Sequence, residues 1–148
     1  MRNVRFLDSS VFLHAYLKPK KKLTPVEKSI KEAAKNILTR VEKGEEVLTT
    51  VVHLSEILNI VEFRIGLKQS ISLLAGILSL QNILTVDVNI DDYKKALLVA
   101  DKYNVSVNDA LAYIKMKENN IKEIYTFDKH FKNLPKIKII QTIKFSDS

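Results

Sequence analysis

Val4-Arg5-Phe6-Leu7-Asp8 has the pattern of a short buried strand that ends on an acid. A second run of this kind, Ile124-Tyr125-Thr126-Phe127-Asp128, stands near the other end of the sequence. Parallel sheets gather the C-terminal ends of their strands along one edge, and α/β folds build their sites there. We therefore expect the carboxylates of Asp8 and Asp128 to meet in space.

Segments with strand and helix patterns alternate along the chain. Strands are predicted at 4–7, 47–50, 83–86, 124–127 and 137–140, and helices at 9–17, 25–43, 51–65, 68–81, 90–103 and 107–119. This alternation predicts the α/β class, with a parallel β-sheet flanked by α-helices on both faces. No linker or repeat divides the sequence, so residues 1–148 are expected to form a single domain with a loose end at 145–148.

The composition excludes several kinds of site. The absence of cysteine rules out a disulfide scaffold, a zinc–thiolate site and a thiol nucleophile. The three glycines are not clustered, which excludes a phosphate-binding P-loop and a dinucleotide fingerprint. None of the three histidines lies three or four residues from another, so a histidine metal ligand is not expected.

Charge and hydropathy indicate a cytoplasmic protein with a surface that suits polyanions. The 24 basic and 17 acidic residues give a net charge of +7, which favours nucleic acid as a partner. A lysine-rich surface that serves only solubility is the alternative. No signal peptide is recognised, and the apolar stretches are too short to span a membrane.

Four acids stand where apolar segments end or within predicted helices, namely Asp8, Glu56, Asp109 and Asp128. Glu56 lies in a strongly apolar helix, where a lone carboxylate is costly unless it finds a cation. Asp109 closes Ser106-Val107-Asn108-Asp109, which resembles a helix capping box. Crowded carboxylates repel one another unless cations lie between them, and Mg²⁺ or Mn²⁺ are the usual ions. The structural alternative for each acid is a cap, a turn or a helix edge.

The ordered set of motifs resembles the PIN-domain ribonucleases, in particular the VapC toxins of toxin–antitoxin pairs. The resemblance spans nearly the whole chain, and its pieces are Phe6-Leu7-Asp8-Ser9-Ser10-Val11, Leu54-Ser55-Glu56-Ile57, Val107-Asn108-Asp109-Ala110-Leu111-Ala112 and Tyr125-Thr126-Phe127-Asp128-Lys129-His130-Phe131. Family members commonly have Asp-Thr-Asn at the first motif, where this chain has Asp8-Ser9-Ser10. Ser9 keeps the hydroxyl, whereas no polar role is expected of Ser10.

The resemblance implies an acidic pocket that binds Mg²⁺ or Mn²⁺ and hydrolyses RNA without a protein nucleophile. The metal ligands and catalytic residues would be Asp8, Glu56, Asp109 and Asp128, supported by the hydroxyls of Ser9 and Thr126. A cationic loop would hold the RNA backbone through Lys18, Lys20, Lys21 and Lys22, with a solvated loop as the alternative.

The resemblance also implies protein partners. An antitoxin would cover the acidic pocket with its C-terminal segment, often through a basic side chain. The family commonly dimerises, so a homodimer is expected. The predicted helices 51–65 and 68–81 are candidate surfaces for it, with packing in the core as the alternative.

Rival functions differ in what they require of the first motif. A phospho-acceptor receiver domain and a haloacid-dehalogenase phosphatase both need a further acid next to the first strand, where this chain has Ser9 and Ser10. A non-catalytic PIN-like RNA-binding or scaffold module stays open, although the presence of all four acids argues against it. An RNA-processing nuclease that is not a toxin also stays open.

Overall fold

The computed structural model describes residues 3–142 and contains one parallel sheet with the strand order β3-β2-β1-β4-β5. The strands are β1 (Arg5–Leu7), β2 (Val47–Thr50), β3 (Ile83–Val86), β4 (Glu123–Tyr125) and β5 (Lys138–Ile140). The helices are α1 (Ser9–Tyr16), α2 (Pro25–Glu42), α3 (Val51–Arg64), α4 (Leu67–Ser79), α5 (Ile90–Tyr103) and α6 (Val107–Glu118). The predicted α/β class is confirmed. The loose end predicted at 145–148 lies outside the described residues.

Helices cover both faces of the sheet, as predicted. Successive strand residues point to opposite faces, so each strand contributes to two cores. Leu7 and Tyr125 are fully buried on one face, where α1 to α4 pack. Phe6 and Ile124 are fully buried on the other face, where they meet α6. The site at the strand ends is therefore supported from both sides.

Side-chain caps fix where the helices begin. Thr24 and Glu27 form a capping box at the start of α2, with Pro25 in the first turn. Asn89 and Asp92 form a second capping box at the start of α5. Asp92 is 4% exposed, and its Oδ2 lies 2.9 Å from Nζ of Lys115 on α6. This ion pair joins the two helices.

The fourth strand is shorter than predicted. The strand expected over 124–127 occupies Glu123–Tyr125, so Thr126 follows the strand instead of lying on it. The amides of Phe127 and Asp128 donate to the hydroxyls of Ser10 and Thr126, and these side-chain acceptors replace the sheet ladder. A 3-10 helix that was not predicted then occupies Lys129–Asn133.

The strand order places β1 and β4 side by side at the centre of the sheet. The chain runs outward from β1 to β3 on one side and from β4 to β5 on the other, so the order reverses between β1 and β4. Ligand sites of open α/β sheets form beyond the strand ends at such a reversal. The amide of Asp8 donates to the carbonyl of Tyr125 over 3.0 Å, which holds the two strand ends together. No helix within residues 3–142 is long and apolar enough to cross a membrane.

Candidate metal centre

Asp8 leaves β1 and forms the N-cap of α1. Its Oδ2 accepts hydrogen bonds from the Ser10 hydroxyl at 2.7 Å and from the Thr126 hydroxyl at 2.8 Å. The amide of Ser10 adds a longer contact of 3.4 Å. One oxygen of this carboxylate is thus fixed by donors from two segments of the chain.

The expectation that position 10 carries no polar role is wrong. The Ser10 hydroxyl donates to Asp8 and accepts from the amide of Phe127 at 3.0 Å. Thr126 does the same one step along, because its hydroxyl donates to Asp8 and accepts from the amide of Asp128 at 3.0 Å. Both hydroxyls therefore join Asp8 to the backbone that follows β4. The sequence shows that Ser10 lacks the side-chain amide of the asparagine common in the family. It does not show that the serine hydroxyl can both donate and accept at this position.

Asp109 lies in the first turn of α6, where Ser106 caps the helix by accepting the Asp109 amide at 3.0 Å. Among the described residues, the return bond of a capping box, from the Ser106 amide to the Asp109 carboxylate, is not formed. The side chain is 5% exposed, and its Oδ2 has no hydrogen-bond partner. Burial raises the pKa of Asp109 to about 8, and the carboxylates of Asp128 and Asp8 add to the shift.

Asp128 follows β4 and caps the 3-10 helix through Oδ1, which accepts from the amide of His130 at 2.9 Å. The same oxygen lies 3.0 Å from Nδ1 of His130. Single ligand atoms of Asp109, Asp128 and His130 all lie within 4.8 Å of one another, a spacing that fits one metal ion. His130 was not predicted as a ligand, because the prediction used only the spacing between the three histidines and not their spacing from the acids. The position two residues after Asp128 was the available signal.

Glu56 is joined to the acidic cluster through its neighbours. It lies on α3 and is half-buried, and its Oε1 accepts a short hydrogen bond from the Ser9 hydroxyl. Its Oε2 accepts from Nδ2 of Asn108 at 3.1 Å. Ser9 follows Asp8 and Asn108 precedes Asp109, so the two bonds tie Glu56 to the segments that carry both acids, although the close group of ligand atoms consists of Asp109, Asp128 and His130. Asn108 was not singled out from the sequence, although it adjoins Asp109.

His53 is a further polar side chain at the site that sequence reasoning missed. It lies on α3 one turn before Glu56, and this spacing places both side chains on the same helix face. Its ring is fully buried, with Nε2 at 3.8 Å from Oδ1 of Asp8. The pKa of His53 is lowered because burial outweighs the opposite effect of the Asp8 and Glu56 carboxylates.

The cationic loop lies at the far end of α1 from the acidic cluster. α1 begins beside Asp8 and its eight residues run away from it. At a rise of 1.5 Å per residue the helix is about 12 Å long, and the loop begins beyond it. Lys18, Lys20, Lys21 and Lys22 are all exposed.

The model of the PIN domain family matches residues 5–137 of the sequence. The chain belongs to the PIN-domain family. A comparison with curated proteins gives no match. The four acids on which the resemblance rests all fall inside the matched region of this PIN domain.

Several solved structures are similar to this PIN domain over most of their length. One is VapC20 of Mycobacterium tuberculosis, a Sarcin-Ricin loop cleaving toxin, with a TM-score of 0.67 and 22% identity over 89% of this chain and 95% of that one. A toxin–antitoxin complex from Klebsiella pneumoniae gives 0.60 and 12% identity over 90% and 95%. VapBC2 from Rickettsia felis, bound to a DNA fragment from their promoter, gives 0.61 and 16% identity over 93% and 97%. At these identities the likeness shows the fold.

Proposed function

We propose that this PIN domain is a metal-dependent endoribonuclease that hydrolyses phosphodiester bonds of RNA. The observation that carries the proposal is the buried Asp109 carboxylate, which faces Asp128 and has one oxygen without a partner. A buried carboxylate in this state is unstable unless a cation or a proton neutralises it. The chemistry of the donors, which are oxygens with one imidazole nearby, suits Mg²⁺ or Mn²⁺.

The metal ligands in this proposal are Asp8, Glu56, Asp109 and Asp128. A bound divalent cation would lower the pKa of a water molecule and neutralise charge on the phosphate. The chain's own part is to hold the carboxylates in place. Ser10 and Thr126 fix Oδ2 of Asp8, while Ser9 and Asn108 fix the two oxygens of Glu56.

Charge and fold both support RNA as the substrate. The net charge of +7 attracts a polyanion, although the catalytic pocket itself is acidic. Basic side chains are thus needed outside the pocket, and the exposed lysines 18 and 20–22 lie in the loop beyond the far end of α1 from Asp8. We assign these lysines to the RNA backbone. VapC20, which shares the fold, is a toxin that cleaves the Sarcin-Ricin loop.

We further propose that the protein is the toxin of a toxin–antitoxin pair. Similar folds occur in a toxin–antitoxin complex and in VapBC2, which supports an antitoxin partner. An apolar groove of about 610 Å³ between helices α1 to α4 offers a place for an apolar segment of that antitoxin. Its lining includes Phe12, Leu38, Val61, Leu73 and Ile77.

A homodimer is proposed through the outer face of α5. Of the surface predicted for it, α3 packs in the core through Ile57, whereas α4 keeps Ile71 and Leu78 60% and 63% exposed. The apolar side chains of Ile90 and Leu97 on α5 remain 70% and 63% exposed at a spacing of seven residues, which places them on one helix face. A second copy would remove this apolar stripe from water.

The test of the function is cleavage of a mixed RNA pool in Mn²⁺, Mg²⁺ or EDTA. Wild type is compared with Asp109→Asn and with Asp101→Asn, which removes an exposed acid on α5. We expect cleavage by wild type and Asp101→Asn only when a metal is present, and none by Asp109→Asn. RNA binding by the folded protein without cleavage in any metal would favour the non-catalytic module instead. Cleavage that persists in EDTA would overturn the metal-dependent mechanism.

A further inference from the structure

The ring of His53 is enclosed between the sheet and the acidic cluster. It is fully buried, and the edge-to-face contact with Phe6 has a centroid distance of 5.1 Å. Its Nδ1 lies 2.7 Å from the Thr50 hydroxyl, whereas its Nε2 has no hydrogen-bond partner. A buried polar atom without a partner in a folded protein calls for an explanation.

The hydrogen bonds at Thr50 decide which nitrogen of His53 carries the proton. Thr50 is the N-cap of α3, and its Oγ1 accepts from the amides of Val52 and His53 at 3.1 Å each. A hydroxyl oxygen has two lone pairs, and these two amides occupy both. The third contact of Oγ1, to Nδ1 of His53, must therefore use the hydroxyl's own hydrogen. Nδ1 is the acceptor, and in the neutral ring the hydrogen is on Nε2.

We propose that His53 is a positioning residue whose Nε2 hydrogen is aimed by Thr50 at Oδ1 of Asp8. The two atoms are 3.8 Å apart, which is about 1 Å longer than a hydrogen bond. Hydrogen bonds at catalytic sites are often long without ligand and tighten when it binds. Oδ2 of Asp8 already has its donors in Ser10 and Thr126, so His53 is the donor available to Oδ1.

This inference rests on the proposed role of Asp8 as a metal ligand. A donor behind a metal-binding carboxylate fixes the direction in which its free lone pair points. His53 would do this for Oδ1, and α3 would thereby supply both Glu56 and the orientation of Asp8. The role is one of positioning, because His53 contacts Asp8 and not the cation or the RNA.

The tautomer can be measured on the wild-type protein without metal or RNA. Long-range proton–nitrogen correlation spectra of the ¹⁵N-labelled protein distinguish a protonated ring nitrogen from an acceptor. We expect His53 to show hydrogen on Nε2 and an acceptor at Nδ1. A spectrum with the hydrogen on Nδ1, or on both nitrogens at neutral pH, would overturn the inference. This measurement needs no variant to fold.

Two substitutions at position 53 separate the donor from the bulk of the ring. In His53→Gln the amide nitrogen reaches the position of Nε2, whereas in His53→Asn it reaches only that of Nδ1. Loss of such an outer donor typically costs about 10- to 100-fold in metal affinity. We expect His53→Asn to weaken Mn²⁺ binding by about that factor, and His53→Gln to stay within about threefold of wild type. Thermal melts check that both variants are folded.

The outcomes separate this inference from the proposed nuclease activity. Equal Mn²⁺ affinity for folded His53→Asn and His53→Gln would contradict the positioning role, even if the protein cleaves RNA. The expected tautomer together with the expected order of affinities would support it, even if no RNA is cleaved. In that case the metal site would be supported and the proposed ribonuclease activity would be contradicted.

Discussion

The surroundings of Asp109 destabilise its charged carboxylate relative to the protonated form. Its folded pKa of about 8 lies above the usual 3.8, so the folded state binds the proton more tightly than the unfolded state does. The free energy of unfolding of the metal-free protein should therefore fall as pH rises from about 4 to about 8, and level off above. Asp109→Asn removes the titrating group without changing the side chain's shape. We expect its Tm to exceed that of wild type at pH 8 in EDTA and to approach it at pH 4.

Asp101→Asn is the control for this measurement, since Asp101 is exposed on α5. The Tm of Asp101→Asn should differ little from that of wild type at both pH 4 and pH 8. Mn²⁺ should stabilise wild type and not Asp109→Asn, because only a ligand bound by the folded state shifts the unfolding equilibrium. An Asp109→Asn protein that is less stable than wild type at pH 8 without metal would show that the carboxylate is already compensated in the fold.

Acids that follow strands are easier to identify from the sequence than the polar side chains that orient these acids. Asp8 and Asp128 are visible because an apolar run ends at each. The partners Ser10 and His53 are not visible in this way, because their roles depend on side-chain directions. A serine hydroxyl that reaches the amide of Phe127 leaves no trace in local spacing. His53 could have been found as the residue one turn before Glu56.

The N-cap of α6 is expected to fix the helix turn that carries Asp109. Ser106→Ala removes the acceptor for the Asp109 amide and should cost about 1 kcal/mol of stability. We expect the metal affinity to fall as well, because the first turn of α6 carries both Asp109 and Asn108. The matched control is Thr24→Ala, which removes the cap of α2 away from the site.

Both cap variants should lose similar stability by chemical denaturation, and only Ser106→Ala should lose Mn²⁺ affinity by calorimetry. A similar loss of affinity in both would mean that global stability controls the site. Unchanged affinity in Ser106→Ala would mean that packing alone holds the first turn of α6.

Element boundaries were predictable where the signal is local. Each strand or helix pattern lies within a short window of sequence, and the strands and helices of the structure largely follow these patterns. The end of β4 was not predictable, because Thr126 and Phe127 have strand-like side chains. The amides of Phe127 and Asp128 donate to hydroxyls, one of which belongs to Ser10 on a distant segment. Such competition from elsewhere in the fold is absent from a short window of sequence.

The apolar stripe on α5 predicts self-association of the protein. Leu97→Glu places a charge on this stripe and should convert a dimer into a monomer, since a buried unpaired charge is costly. Ile71→Glu on α4 is the control, because Ile71 is 60% exposed and Leu97 is 63% exposed. Sedimentation of the three proteins at the same concentration measures the effect. Loss of the dimer only in Ile71→Glu would place the interface on α4. A monomeric wild-type protein would contradict the proposed homodimer.

The neighbourhood of β1 and β4 has a consequence for protein synthesis. β1 leaves the ribosome long before β4, and N-terminal parts generally begin to fold first. A chain interrupted before Glu123 has Asp8 but lacks both the Thr126 hydroxyl and the Asp128 carboxylate. For an enzyme proposed to cut RNA, unfinished copies would therefore be harmless. A competent molecule would exist only once translation has passed Asp128.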